Sequence, residues 1–213
     1  MTTNWVEWHN AYDDPTSGLV RRLAHVRRRV LTALRDAPAG EIRLISMCAG
    51  QGLDVFGAVA EFDRTDDVVG RLVELDPENV AAAKARGVPG IEIVEGDASV
   101  TSAYYPADVV LACGVFGNVS DEDVQRTVTL LPMLCRPGAT VVWTRHHEAP
   151  DLTPSIREWF AAAGFEELGF DTEPGYSYSV GTHRLVGEPL PWQDTKLFDF
   201  VGKPFDGRRS PVS

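Results

Sequence analysis

Residues 44–54, Leu-Ile-Ser-Met-Cys-Ala-Gly-Gln-Gly-Leu-Asp, hold the pattern that decides the fold. Apolar residues Ile42, Leu44, Ile45 and Met47 form a strand-like run that ends in a small-residue turn, Cys48-Ala49-Gly50-Gln51-Gly52. A helix-like stretch, residues 53–62, follows at once. Glycines in such a turn reach backbone conformations closed to other residues and let a ligand approach the main chain. The new helix presents free N–H groups and the positive end of its dipole, which favours an anionic group there. The turn is not a dinucleotide fingerprint, because Val55 stands where a third glycine is needed. Nor is it a P-loop, since no Gly-Lys-Ser/Thr follows.

Outward from this turn, strands and helices alternate. Residues 69–75 predict a second strand ending in Glu74-Leu75-Asp76-Pro77. An acidic residue about 20 positions beyond a glycine turn is placed to accept hydrogen bonds from a ribose diol. Glu74 falls there, and Asp76 is expected to face the loop or cap the next helix. Residues 91–95 lead into Gly96-Asp97-Ala98, and residues 108–112 into Cys113-Gly114-Val115-Phe116-Gly117-Asn118. Residues 139–144 follow Arg136-Pro137-Gly138. Ser120 and Asp123 suggest a capping box variant, and Thr153-Pro154 starts another helix. Residues 165–170 and 176–186 predict a hairpin-like pair joined by residues 171–175, so the last strand should run antiparallel to its neighbour. Such alternation is the signature of a parallel sheet with helices on both faces.

These strand ends, in this order, resemble class I S-adenosylmethionine (SAM)-dependent methyltransferases of a small bacterial type. The common form of that family's motif I reads acidic-x-Gly-x-Gly-x-Gly. Gly50 and Gly52 match its last two glycines, while Cys48 stands at the first glycine and Ser46 at the acid. The resemblance covers residues 42–147 with recognisable motifs and extends more weakly to residue 186. It implies an α/β fold, a Rossmann-like class I methyltransferase sandwich with a seven-stranded, mostly parallel sheet. The hairpin's last strand would insert beside the fifth. It also implies SAM as cofactor, S-adenosylhomocysteine as product, and in-line displacement at the sulfonium methyl. Cofactor contacts would come from Cys48, Ala49, Gly50, Gln51, Gly52 and Asp54 around the turn. Glu74 and Leu75 would follow on the second strand, Asp97 and Ala98 on the third, and Cys113 and Gly114 on the fourth.

At 213 residues, the chain suits one domain that buries roughly 70% of its unfolded surface. Three units are expected within it: an N-terminal helical cap or lid (1–40), the SAM-binding domain (41–186), and a tail (187–213) packed on the domain or on another subunit. The last option admits a homodimer. A net charge of −11 disfavours nucleic acid as partner. No apolar run is long enough for a membrane, and the N-terminus lacks a secretory pattern. Three cysteines without metal spacing argue against a disulfide framework or zinc site. The cytoplasm is the expected compartment, and an arginine-over-lysine bias fits a bacterial origin. Arginines 21, 22, 27, 28 and 29 share a helical segment with Leu19, Leu23, Val26, Val30 and Leu34, so they are expected on its solvated face.

Methyl transfer from a sulfonium needs positioning above all, and a base only where the acceptor must lose a proton. His9, Tyr12, His146 and His147 are the catalytic candidates; the last two follow the fifth strand at the cleft edge. A structural histidine is the plainer alternative for each. A metal at His146, His147, Glu148 and Asp151 is disfavoured, because adjacent strand residues point to opposite faces. Trp5, Trp8 and Tyr12 lie on one helical face, as a lid or as an anchor. Cys113 lacks the flanks of a cytosine-methylating loop, and the Asn/Asp-Pro-Pro-aromatic signature is absent. The acceptor is therefore expected to be a small molecule. Two competitors stand beside methylation: a cyclase or aminocarboxypropyl transferase that also uses SAM, and a SAM-binding partner protein without turnover.

Overall fold

The computed structural model describes residues 17–201. In chain order they form α1 (Gly18–Asp36), β1 (Ile42–Met47), α2 (Leu53–Ala60), β2 (Val68–Glu74), α3 (Pro77–Arg86) and β3 (Ile91–Glu95). Then come β4 (Ala107–Ala112), α4 (Asp121–Leu130), β5 (Cys135–His146), α5 (Thr153–Ala162), β6 (Phe165–Thr172) and β7 (Tyr178–Leu185). One seven-stranded sheet has the order β3-β2-β1-β4-β5-β7-β6. The first five strands are parallel, and β7 inserts antiparallel between β5 and β6. This is the Rossmann-like sandwich expected from the sequence. The strand order reverses between β1 and β4, so the ligand crevice of this topology opens at their carboxyl ends.

Period-two alternation along the strands sorts apolar side chains onto two faces. On one face Ile45, Met47, Val110, Val141 and Trp143 meet Val124 and Val128 of α4, Ile156 and Phe160 of α5, and Leu197 and Phe198 of the tail. On the other, Leu44, Leu72, Leu111 and Val142 meet Val26, Val30 and Leu34 of α1, Val55, Phe56 and Val59 of α2, and Ala83 of α3. Trp143 fits flat against β7 because its cross-strand partner is Gly181. A Cβ on that glycine would lie 2.1 Å from the indole.

Local chemistry sets the helix ends. Ser17 caps α1 by accepting from the Leu19 N–H at 3.1 Å. Asp76 caps α3 by accepting from Glu78 and Asn79, with Pro77 in its first turn. Ser120 caps α4 by accepting from Asp123 N–H at 3.1 Å. The Asp123 carboxylate does not reach back; it accepts from the tail at Asp199 N–H and pairs with Arg126.

Three expectations shift. β5 begins at Cys135, because a register irregularity between Ala107 and Val109 lets the ladder absorb the Arg136-Pro137-Gly138 turn. β6 runs on to Thr172, held at Asp171 by a two-bond clasp from Arg29 at 2.6 and 2.9 Å. The arginine face of α1 is solvated in part, with Arg21 and Arg28 exposed as expected, but it also forms a seam. Arg21 pairs with Glu173, and Arg27 donates to the Leu53 carbonyl at 2.9 Å. The Trp5, Trp8 and Tyr12 stripe and the end of the tail lie outside the described residues.

Candidate functional site

The glycine turn is wound tightly. Cys48, Gly50 and Gly52 take φ values of 51°, 54° and 70°, all left-handed. A β-carbon is strained in that region, so the cysteine at motif I's first glycine position adopts a backbone that favours glycine. A Cβ on Gly52 would meet the Phe56 ring at 2.6 Å. Ala49 N–H donates to Val73 O, and Gly52 N–H to Ala49 O, which ties the turn to β2 and closes it on itself. Gly52 brings no side-chain cap to α2; the Asp54 carboxylate takes the Val55 N–H at 2.8 Å. Burial raises the Asp54 pKa, against the pull of hydrogen bonds from its own first turn and the charges of Arg22 and Arg27. Ser46, at the motif's acidic position, is buried and its hydroxyl has no hydrogen-bond partner.

Glu74 ends β2 next to this turn. Its carboxylate accepts three backbone N–H groups: Gly50 at 2.7 Å, Leu75 at 3.0 Å and Asp76 at 2.9 Å. Leu75 is 67% exposed, an apolar side chain left in the open beside a buried acid. At the end of β3, Gly96 N–H donates to Glu74 O. Asp97 accepts from Ser99 N–H at 2.8 Å, and the Ala98 carbonyl takes the buried Tyr104 hydroxyl at 2.8 Å. Burial, then the charges of Glu74 and Asp97, drive the Cys48 thiol far above its usual range. Cys48, Gly50, Glu74 and Asp97 therefore sit together at the carboxyl ends of β1, β2 and β3.

The end of β4 makes the other wall. Gly114 takes φ 78°; its N–H donates to Thr144 Oγ1 at 2.9 Å and its carbonyl accepts from Asn118 Nδ2 at 2.7 Å. Burial, then Asp54, push the Cys113 thiol far up, which favours the neutral thiol. At the end of β5, Arg145 donates to the Phe116 carbonyl. A Cβ on Gly117 would contact His146 Cδ2 at 3.8 Å. His147 N–H donates to Ser177 O at 2.8 Å, while its Nδ1 is buried without a partner. His146 thus borders the loop after β4, His147 is tied to the connection before β7, and His9 and Tyr12 lie outside the described residues. His183 is far from this edge: it stacks on Phe160 at 4.3 Å and accepts from Trp143 Nε1 at 3.1 Å.

Two features were not anticipated from the sequence. Arg145 and Thr144 pin the loop after β4; the ionisable residue directly before His146-His147 was the available signal. The tail is a strap: Leu197 N–H donates to Ser99 O at 2.7 Å, and Val201 N–H to Asn118 O at 3.0 Å. It joins the loop after β3 to the loop after β4; that the tail packs was expected, and its route across these strand ends was not. Two surface depressions lie elsewhere, one of about 370 Å³ beside Tyr105 and Trp192, the other of about 220 Å³ between Arg29 and Arg184.

No family model matches the chain, and no curated protein does. Solved structures do. A TehB-like SAM-dependent methyltransferase from Corynebacterium glutamicum superposes with a TM-score of 0.60 at 15% identity, over 84% of this chain and 95% of that one. A possible exported protein from Bordetella parapertussis gives 0.65 at 16% identity, over 89% and 80%. The [4+2]-cyclase SpnF gives 0.58 at 17% identity, over 78% and 82%. With its strand order and inserted antiparallel β7, this chain has the fold of class I SAM-dependent methyltransferases.

Proposed function

We propose that the protein is a SAM-dependent methyltransferase acting on a small molecule. One observation carries the reading: Glu74, buried at the end of β2, is oriented by three backbone N–H groups beside a left-handed glycine turn. Each carboxylate oxygen has two lone-pair sites; Leu75 and Asp76 fill those of Oε1 and Gly50 one of Oε2, so Glu74 keeps one site for a ribose hydroxyl. The residues present fit the cofactor. Leu75 offers an exposed apolar face for the adenine, Asp97 and Ala98 its hydrogen-bonding edge, and residues 48–52 with Asp54 the methionine end. When bound, SAM supplies an electrophilic methyl group on a sulfonium.

The chain's own residues then position the acceptor and manage its proton. Thr144 and Arg145 fix the loop after β4, which supports an acceptor held at that edge. His146 and His147 are the proposed proton acceptors, with His9 and Tyr12 added from the N-terminal segment. That segment (1–40) we assign as a cap, residues 41–186 as the cofactor domain and 187–213 as a tail packed on the domain or on a second subunit, the latter in a homodimer. Among the described residues no helix is long and apolar enough to cross a membrane, and a cytoplasmic site of action accords with the three free cysteines.

Calorimetric titration with SAM, S-adenosylhomocysteine and NAD tests the reading. Micromolar binding of both sulfur nucleosides, without NAD, is expected; binding of neither removes it. The likeness to the [4+2]-cyclase SpnF favours one second reading, chemistry other than methylation on this fold. Release of S-adenosylhomocysteine during turnover excludes cyclisation of SAM itself and aminocarboxypropyl transfer, which release methylthioadenosine, and excludes a [4+2] cycloaddition, which leaves SAM unconsumed.

A further inference from the structure

We infer that the acceptor carries a small oxyanion group, a carboxylate or a phosphate, that docks on the guanidinium of Arg145. The inference rests on the methyltransferase reading, whose acceptor edge Arg145 lines. Its side chain is only 9% exposed, at the carboxyl end of β5. A buried guanidinium has five donors to satisfy and a charge to balance. Arg145 gives one donor to the Phe116 carbonyl. Another stretches 3.5 Å to Asp121, whose carboxylate is 58% exposed and so largely held by water. Its Nε is buried with no partner at all.

The contrast within this chain is direct. Arg29, at 24% exposure, grips Asp171 by two bonds of 2.6 and 2.9 Å. Arg157, at 44%, grips Glu167 by two bonds of 2.6 and 2.8 Å. Arg145 is more deeply buried than either and has the weaker carboxylate. Burial pulls its pKa down, with Asp121 and Asp151 opposing. Its location makes the deficit functional: Phe116 belongs to the loop after β4, and His146 and His147, the proposed proton acceptors, follow it directly. His147 Nδ1, two residues on, is a second buried nitrogen with no partner. An arriving oxyanion would displace Asp121, which returns to water at little cost. The planar fork would hold a carboxylate or a phosphate by two parallel bonds.

The test uses the full-length, 15N-labelled protein loaded with S-adenosylhomocysteine, at constant ionic strength. Inorganic phosphate, acetate and neutral acetamide are the probes, and arginine Nε resonances the readout. The Arg145 resonance, assigned by its loss in Arg145→Gln, should shift saturably with phosphate or acetate and not with acetamide; which anion acts separates the two chemistries. Arg145→Lys keeps a donor for the Phe116 carbonyl but lacks the fork. It should weaken anion binding, followed through neighbouring backbone amides, by about tenfold or more and leave nucleoside affinity unchanged. An unmoved Arg145 resonance with the nucleoside bound overturns the inference alone, as does undiminished anion binding in Arg145→Lys. Failure to bind the nucleoside overturns the methyltransferase reading beneath it as well.

Discussion

Glu74→Ala separates a cofactor ligand from a structural staple. The substitution removes the common acceptor of the Gly50, Leu75 and Asp76 N–H groups. All three donors lie at the open end of the sheet, so water recovers part of what is lost. The expected loss of stability is about 1–2 kcal/mol, or a drop of roughly 2–8 °C in Tm for a domain of this size. The nucleoside loses a hydrogen bond to a charged acceptor, about 1.5–3 kcal/mol, which raises the Kd of S-adenosylhomocysteine about 10- to 150-fold. Glu74→Gln refines the test. Its single carbonyl oxygen can face Gly50 or the Leu75–Asp76 pair, and its amide then opposes the donor left over. Calorimetry gives the affinity and urea unfolding the stability. A normal stability loss with a Kd within about twofold of the parent would refute the ribose assignment and leave Glu74 as a clamp on the glycine turn.

The remaining expectations concern the frame of the site. Burial pulls the His183 pKa down to about 4, with Glu167 opposing. The unfolded chain therefore binds a proton first as pH falls below about 6.5, and stability declines from there toward pH 4, by roughly 3 kcal/mol in all. His183→Gln, which keeps an acceptor for the Trp143 indole, should flatten that part of the stability–pH curve. Gly181→Ala puts a methyl 2.1 Å from the Trp143 ring, so chemical unfolding should show a loss of about 3 kcal/mol or more, partly recovered by Trp143→Leu. Phe198 is fully buried, and Phe198→Ala should cost about 3–5 kcal/mol. If the strap supports the cofactor wall, nucleoside affinity should fall in that variant too, under conditions where it remains folded.

Much of this frame was legible in the chain because it rests on short-range rules. Strand alternation, glycine in a left-handed turn, Asp76 and Ser120 as caps and Pro154 at a helix start each depend on neighbours a few positions away. They suffice to order β1 to β7 and to place Glu74, Asp97 and Gly114 at strand ends. Element limits were less legible. The Arg136-Pro137-Gly138 turn is absorbed by an irregularity in pairing with β4, and Asp171 is held in β6 by an arginine 142 positions earlier.

What the tertiary structure alone decided is how those ends are wired. Glu74 meets Gly50 across 24 positions, Arg145 meets Phe116 across 29, and His183 meets Trp143 across 40 because β7 inserts antiparallel beside β5. The strap joins Ser99 to Asn118 through Leu197 and Val201, 98 and 83 positions on. Local propensity carries no information about such partners. The sequence by itself determined the elements, their order and the chemistry at each strand end. Burial and the packing of distant segments decided which polar groups were satisfied and which, like Arg145, were left with bonds to give.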